Sequence, residues 1–185
     1  MDLRERLVRR RVVYAGNYLS TEEHTVRLPD GRRTVREIVR PPNAVAVVPV
    51  DDGGTLYLVR QYRPPLAKVL YEIPAGIIDR GERPTATARR ECMEEVGMRP
   101  RRLTRLCTYY HAVGFSTGHV TLYLARGLRP AAGRHRETGE FVEVVTLPFR
   151  EAYRMALANR FLDAKSLLGI LWSARLLGVA SRQRM

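Results

Sequence analysis

The chain has 185 residues, enough for about one compact domain with a small appendage. Its composition, 45% hydrophobic and 28% charged, is that of a globular protein and excludes a wholly disordered chain. The net charge of +13 attracts phosphorylated ligands, but 30 of the 32 basic residues are arginine, a bias that a GC-rich genome also produces. No apolar run approaches the ~20 residues of a membrane span and no secretory signal is visible, so a soluble, cytoplasmic protein is expected.

The first 42 residues are predicted to form a subdomain of β-strands. Its strands are expected at 11–14, 18–21, 24–28 and 33–39, the last two forming a hairpin around Pro29-Asp30-Gly31. A second domain is expected from residue 43 to residue 180. The last five residues, 181–185, are expected to fray.

The second region mixes buried strands with helices. The stretch from Ala44 to Val50 is almost wholly apolar, as in a strand buried on both faces. Pro84 begins the first helix, which is predicted to end at Val96 before Gly97. Further strands are predicted at 55–63, 71–78, 105–111, 120–125 and 140–147, helices at 150–158 and 164–177, and a mobile polar loop at 129–139. This order predicts an α+β fold or a mixed α/β sandwich.

The two cysteines do not form a metal or disulfide motif. Cys92 and Cys107 are too far apart for a CxxC pair, and no cysteine–histidine cluster has zinc spacing. Cys92 falls in the predicted helix and Cys107 in a predicted strand. Both are expected to be small buried hydrophobic residues.

Acidic residues are concentrated around the first predicted helix, where six of the 19 lie within residues 72–95. Glu91 and Glu95 are four residues apart and share a helix face, with Glu94 beside them. Like charges at this spacing repel, and a hard divalent cation such as Mg²⁺, which prefers oxygen ligands, would offset the repulsion. The alternative is a solvated acidic face paired with a neighbouring arginine such as Arg90.

The residues before the helix complete a longer pattern. Gly76 is followed six positions later by Glu82, and after seven more residues by the run RECMEEVGM, which starts at Arg90. This resembles the Nudix box, G-x5-E-x7-R-E-U-x-E-E-x-G-U, in which U is aliphatic. Every charged and glycine position is filled, while Cys92 and Met98 occupy U positions and remain apolar.

The resemblance extends from about Arg11 to the second terminal helix and points to the ADP-ribose pyrophosphatase branch of the Nudix family. It rests on VRLPDGR, TVREIV, LVRQYR and EIPAGIID. It implies an α/β (α+β) Nudix fold, a mixed β-sheet sandwiched between helices, with an N-terminal antiparallel β subdomain exchanged within a homodimer. It also implies Mg²⁺-dependent hydrolysis (Mn²⁺ as a substitute) of ADP-ribose or a related nucleoside diphosphate sugar. No membrane or nucleic-acid partner is expected.

The resemblance implies a role for each matching residue. The metal ligands would be Glu91, Glu95, the carbonyl of Ala75 and Glu82. Glu94 would add ligation or charge, and it forms the catalytic set with Arg90, which would orient the glutamates through charged hydrogen bonds, and Glu140. Gly76 and Gly97 would permit the tight backbone at the two ends of the box.

The general base is expected on the loop RHRETGE. Glu140 is preferred over Glu137, because it immediately precedes the strand FVEVV and so has a fixed position. The alternative is that Glu140 merely flanks that strand.

Substrate contacts are expected from two places. Arg36 and Glu37 on an N-terminal strand, and Arg63 in RQYR, would bind phosphate or ribose, the arginines through bidentate geometry. Tyr18 would either stack on the base or lie buried in the hairpin region. His111 and His119 are expected to be structural.

Two departures from the branch leave the substrate open. Val113 stands where proline is expected, and Gly118 where glutamate is common. GDP-mannose, dinucleoside polyphosphates, coenzymes and RNA 5′ ends therefore remain alternatives, as does a non-catalytic nucleotide-sugar sensor. The complete set of box glutamates favours an enzyme over a sensor.

Overall fold

The computed structural model describes residues 2–131 and 141–180. Within these residues the strands are β1 (Arg6–Ala15), β2 (Ser20–Arg27), β3 (Arg33–Arg40), β4 (Ala44–Pro49), β5 (Thr55–Arg63), β6 (Lys68–Glu72), β7 (Ala75–Ile77), β8 (Met98–Tyr110), β9 (His119–Pro130) and β10 (Val142–Pro148). The helices are α1 (Pro84–Val96), α2 (Phe149–Leu157) and α3 (Ala164–Leu176). The chain divides into two compact units, Met1–Asn43 with Tyr109–His119, and Ala44–Thr108 with Val120–Met185.

The first unit contains an antiparallel sheet in the order β1-β2-β3. The predicted β2–β3 hairpin is confirmed, and its turn is closed by a hydrogen bond of 3.0 Å from the Gly31 amide to the Leu28 carbonyl. Gly31 has a φ of 88°, which glycine adopts without strain. Strand β1 is longer than predicted and begins at Arg6, because its arginines mask the strand pattern in the sequence.

The second unit contains a mixed sheet in the order β7-β4-β9-β8 and an antiparallel sheet in the order β10-β5-β6. Strand β4 runs antiparallel to β7 and parallel to β9. Val45 and Val47 pack in one hydrophobic cluster with Ala88 of α1. Alternate residues of β4 point the other way, and a Cβ on Gly169 of α3 would lie 2.8 Å from Val48. Helices therefore cover both faces of the central strand, which confirms the predicted sandwich.

Helix α1 begins and ends where the sequence predicts. Pro84 occupies its first turn, and Gly97 follows it in the left-handed conformation with φ 70°. The Gly97 amide donates to the Met93 carbonyl at 3.0 Å, which satisfies one of the last carbonyls of the helix. Both ends are fixed by local chemistry.

Several predicted bounds and one burial prediction are corrected. Strand β8 begins at Met98, seven residues before the predicted start at residue 105. Strand β9 continues to Pro130, so residues 129 and 130, which were predicted as loop, belong to this strand. Cys92 is buried as predicted, but Cys107 is only half-buried, because its strand lies at the edge of the sheet. The rest of the predicted loop and the tail 181–185 lie outside the described residues. No helix in the described ranges combines the length and apolarity that crossing a membrane requires.

Candidate active site

The segment before α1 is held against the sheet and meets the helix at a glycine. Ala75 of β7 pairs with Ala46 of β4, which fixes the backbone of this lead-in. The carboxylate of Glu91, a residue only 7% exposed, lies over Gly76. A Cβ on Gly76 would lie 1.9 Å from Glu91 Oε1 and 2.5 Å from Oε2. A side chain at position 76 would therefore displace the Glu91 carboxylate from this position.

Glu95 reaches the neighbouring residue of the lead-in. The Ala75 amide donates to Glu95 Oε2 at 3.1 Å. The carboxylates of Glu91 and Glu95 thus meet adjacent residues of β7, as their shared helix face requires. The structure brings together three of the predicted metal-binding positions.

Arg90 connects three glutamates of the box. Its Nη1 donates to Glu91 Oε1 at 2.6 Å and to Glu94 Oε2 at 3.1 Å. Its Nη2 donates to Glu82 Oε2 and to the Ile77 carbonyl, each at 3.1 Å. Burial acts to lower the pKa of Arg90, but the surrounding carboxylates, Glu82 first, outweigh burial and raise it. The guanidinium stays charged, and its hydrogen bonds join the carboxylates of Glu82, Glu91 and Glu94.

Glu82 is held ionised from two sides. The hydrogen bonds from Arg90 are the largest cause that lowers its pKa, and the Thr87 hydroxyl donates to Glu82 Oε2 at 2.8 Å. Arg89, in contrast, donates to the Pro100 carbonyl. Three box glutamates therefore share Arg90, and with Glu95, which accepts from the Ala75 amide, the four carboxylates and one guanidinium leave a formal surplus of three negative charges.

This donor set fits a hard divalent cation. It offers carboxylate and backbone oxygens, which Mg²⁺, Ca²⁺ and Mn²⁺ prefer, while burial raises the pKa of the Cys92 thiol to about 12 and removes a soft ligand. Among the residues that the structure describes, no three histidine, cysteine or acidic side chains already converge on one point. Arg90 instead engages Glu82, Glu91 and Glu94. The fit rests on the donor chemistry, the Gly76 cradle and the surplus charge.

Arg63, predicted to bind phosphate, has a partner within its own unit. Its Nε and Nη2 donate to the two oxygens of Glu72, each at 2.7 Å. Lys165 of α3 donates to the same carboxylate. Sequence reasoning missed Glu72 and Lys165. The available signals were a lone charge inside the apolar run VLYEIPAG and a lysine in a chain that almost always uses arginine.

The other predicted substrate residues lie in the first unit. Arg36 donates to Glu5 at 2.6 and 3.2 Å, and Glu37 is exposed on β3. Tyr18 lies between β1 and β2 and is 62% exposed, so the buried alternative for this residue is wrong. The connection between β1 and β2 is only four residues long, and the ring of Tyr18 is exposed to solvent there.

The departure at Gly118 has a steric cause. A Cβ there would lie 2.5 Å from Pro41 Cγ and 2.7 Å from His111 Cε1, so a glutamate does not fit. The other departure, Val113, is 83% exposed. The His119 ring meets Tyr110 edge to face with centroids 5.6 Å apart, which is a packing contact.

The predicted general base cannot be placed. Glu140 and its alternative Glu137 lie outside the described residues. Their roles remain predictions from the sequence.

Known proteins resemble this chain over most of its length. A family model described as "NUDIX domain" matches residues 40–167. An ADP-ribose pyrophosphatase of Bacillus subtilis (strain 168) is 35% identical over 170 residues, which cover 91% of this chain and 92% of that protein. A methanol dehydrogenase activator of Bacillus methanolicus is 34% identical over 169 residues, covering 90% of each.

A solved structure has the same fold. The crystal structure of an ADP compounds hydrolase aligns with a TM-score of 0.86, covering 99% of this chain and 100% of that one. Its sequence identity is 24%, so this likeness concerns the fold alone.

Proposed function

The chain belongs to the Nudix family, and from this premise we propose that it is a metal-dependent pyrophosphatase that hydrolyses ADP-ribose to AMP and ribose 5-phosphate. The observation that carries the proposal is the complete box, from Gly76 through α1 to Met98, with the Glu91 carboxylate lying over Gly76. The similarity to an ADP-ribose pyrophosphatase over 91% of the chain supports the choice of substrate.

Hydrolysis of a pyrophosphate needs a divalent cation, and the box carboxylates offer ligands for one. We assign metal binding to Glu91, Glu95, Glu82 and the Ala75 carbonyl, with Mg²⁺ as the cation and Mn²⁺ as a substitute. A bound divalent cation neutralises phosphate charge and lowers the pKa of water. Arg90 keeps Glu91 and Glu94 in place through hydrogen bonds of 2.6 and 3.1 Å. The exposed part of Arg63 would bind a phosphate oxygen of the substrate, with Arg36, Glu37 and Tyr18 as further contacts.

A carboxylate after the box completes the proposal. We assign Glu140 as the general base that takes a proton from the attacking water. Replacing Glu140 by glutamine should lower kcat and leave KM nearly unchanged. An unchanged kcat would transfer the role to Glu137.

The experiment that tests the function is a substrate panel with and without Mg²⁺. The panel contains ADP-ribose, GDP-mannose, a dinucleoside polyphosphate, a coenzyme and capped RNA, and the products are separated by chromatography. We expect AMP and ribose 5-phosphate in equal amounts from ADP-ribose, at the highest kcat/KM of the panel. Glu95→Gln protein, prepared in the same way, controls for contaminating hydrolases.

Each other result has a definite meaning. A different leading substrate would keep the reaction and replace ADP-ribose. No turnover by folded protein with any member would favour a nucleotide-sugar sensor.

A homodimer in the cytoplasm is also part of the proposal. All ten residues of β1 are exposed, and Leu7, Val12 and Val13 are each more than half exposed. Burying apolar side chains of this kind against a second copy would be favourable. Sedimentation should give a dimer, and a stable monomer of 21.1 kDa would contradict this part.

A further inference from the structure

Glu72 is a buried carboxylate that receives two cations. It is 1% exposed, and Arg63 and Lys165 both donate to it. Burial acts to raise the pKa of Glu72, but Arg63 and Lys165 outweigh burial and lower it. The group is therefore charged, and its two partners are fixed by the oxygens they share.

Lys165 joins this carboxylate to the start of α3. Its Nζ also donates to Asp163 Oδ2 at 2.8 Å, and its side chain is only 12% exposed. Asp163 caps α3 by accepting from the Ser166 amide at 3.1 Å. The ammonium thus lies between Glu72 and Asp163, which come from different elements.

The same helix start holds the lead-in to the box. The Ile73 amide donates to Ser166 Oγ at 2.9 Å, and two residues later the Ala75 amide donates to Glu95. Pro74, between them, accepts from the Val47 amide at 2.9 Å. The chain from Glu72 to Ala75 is therefore fixed from α3 at one end and from α1 at the other.

The charge of Asp163 acts on Arg63 as well as on Lys165. The hydrogen bond to Glu72 is the largest cause that raises the pKa of Arg63, and the charges of Asp163 and Glu95 add to it. With Lys165 present, two cations balance Glu72 and Asp163. Without Lys165, the guanidinium of Arg63 would be the remaining cation of the group, and the uncompensated charge of Asp163 would weaken its hold on the bidentate position at Glu72.

We propose that Lys165 is a positioning residue for the hydrolysis: by engaging Glu72 and neutralising Asp163, it fixes the orientation of the Arg63 guanidinium toward the phosphates of the substrate. The inference rests on the function proposed above. The choice of lysine supports it, since 30 of the 32 basic residues are arginine. A compact ammonium can donate to two carboxylates in a confined position, whereas a guanidinium is broad and planar.

A double-mutant cycle tests whether Lys165 acts through Arg63. We expect Lys165→Met to raise the KM for ADP-ribose about tenfold and to change kcat by less than about threefold. In the Arg63→Gln background, the same change should raise KM by less than about twofold, because the group it positions is gone. The matched control is Lys68→Met, which removes an exposed lysine directly opposite Arg63 in the β5–β6 pair and should leave KM unchanged.

Equal factors in the two backgrounds would overturn the proposal, because a general structural role moves both alike. If Lys165→Met does not fold, Lys165→Gln replaces it. That variant keeps a donor for one carboxylate and should raise KM in the same direction by a smaller factor. An unchanged KM for folded Lys165→Gln protein would also overturn the proposal.

A second readout does not depend on turnover. In ¹⁵N-labelled full-length protein, the Nε–H signal of Arg63 is identified by its loss in Arg63→Gln and should exchange slowly with water. We expect faster exchange in Lys165→Met and no change in Lys68→Met. Unchanged exchange in Lys165→Met would overturn the positioning role. If exchange is faster in Lys165→Met but the natural protein does not hydrolyse ADP-ribose, Lys165 still positions Arg63 and only the proposed substrate is rejected.

Discussion

Two groups of carboxylates meet the same short segment, and they differ in charge balance. The box group contains Glu82, Glu91, Glu94 and Glu95 with Arg90, whereas the second group contains Glu72 and Asp163 with Arg63 and Lys165. The first has a formal surplus of three negative charges and the second has none. In a balanced group the removal of one partner leaves a buried charge unpaired, whereas a group with surplus negative charge favours the binding of a cation from outside. Both groups contain buried carboxylates, so burial does not distinguish them. The surplus of negative charge distinguishes the box carboxylates as the candidate metal-binding group.

The largest effect is expected from removing one surplus charge. Glu95→Gln should lower kcat/KM at least about 100-fold, as expected for loss of a metal ligand. The thermal midpoint in EDTA should not fall, because the change relieves repulsion on α1. Initial rates with Mg²⁺ and a thermal scan in EDTA measure the two quantities. Glu143→Gln, at an exposed residue paired with Arg60, is the control for loss of a surface carboxylate.

A loss of folding with retained activity in Glu95→Gln would reject the metal assignment. Thermal scans also test it without turnover, since Mg²⁺ should raise the midpoint of the natural protein and not that of the variant.

The balanced group should show the opposite pattern. Glu72→Gln leaves Lys165 and Arg63 beside a neutral amide in a buried position. We expect the free energy of unfolding to fall by about 3 kcal/mol, as when one partner of a buried ion pair is removed. Urea unfolding in EDTA measures it. If Glu72→Gln and Glu95→Gln had the same stability, charge balance would not distinguish the two groups.

A smaller effect separates position from charge. The Cβ of Gly76→Ala would overlap Glu91 Oε1, and the end of a glutamate side chain can move at little cost. We therefore expect activity to fall about tenfold while the free energy of unfolding changes by less than about 1 kcal/mol. Gly114→Ala is the control, because nothing lies within 4 Å of its Cβ. Full activity in Gly76→Ala would show that the seat of Glu91 on residue 76 is not needed.

Local signals explain how much of the site could be predicted. Helix α1 spans Pro84–Val96 as predicted, because Pro84 and Gly97 define its ends within the sequence. The spacing from Gly76 to the glutamates likewise reflects one turn and one helix. These are contacts between residues close along the chain, and such contacts leave a pattern in the sequence.

Long-range contacts explain what could not be predicted. Glu72 and Lys165 are 93 residues apart in sequence, and only the packing of α3 brings them together. The same holds for Gly118, whose small size follows from contact with Pro41. Arg63 had the right chemistry for a phosphate contact, but its partner Glu72 could not be inferred from strand alternation.

The smallest effect concerns a carboxylate in the first unit that two arginines pair with, Arg10 and Arg40, and it is visible only in acid. Glu22 ion-pairs with Arg40 Nε at 2.7 Å and contacts His24 Nε2 at 2.8 Å. Burial acts to raise the pKa of Glu22, but the Arg40 guanidinium and the His24 ring outweigh it and lower the pKa from 4.5 to about 2. A lowered pKa stabilises the folded state above pH 4.5, and this contribution is lost as the pH falls toward 2.

The free energy of unfolding should therefore decrease as the pH is lowered from 4.5 toward 2. The decrease should be less steep for Glu22→Gln than for the natural protein. Urea unfolding of both proteins at pH 7, 4 and 3 measures the two slopes. Their difference isolates Glu22, because Glu72 also has a lowered pKa and contributes equally to both proteins. Parallel slopes would mean that the cations around Glu22 do not hold it ionised. Neighbouring cations would then keep the buried carboxylate of Glu72 ionised in the second unit but not that of Glu22 in the first.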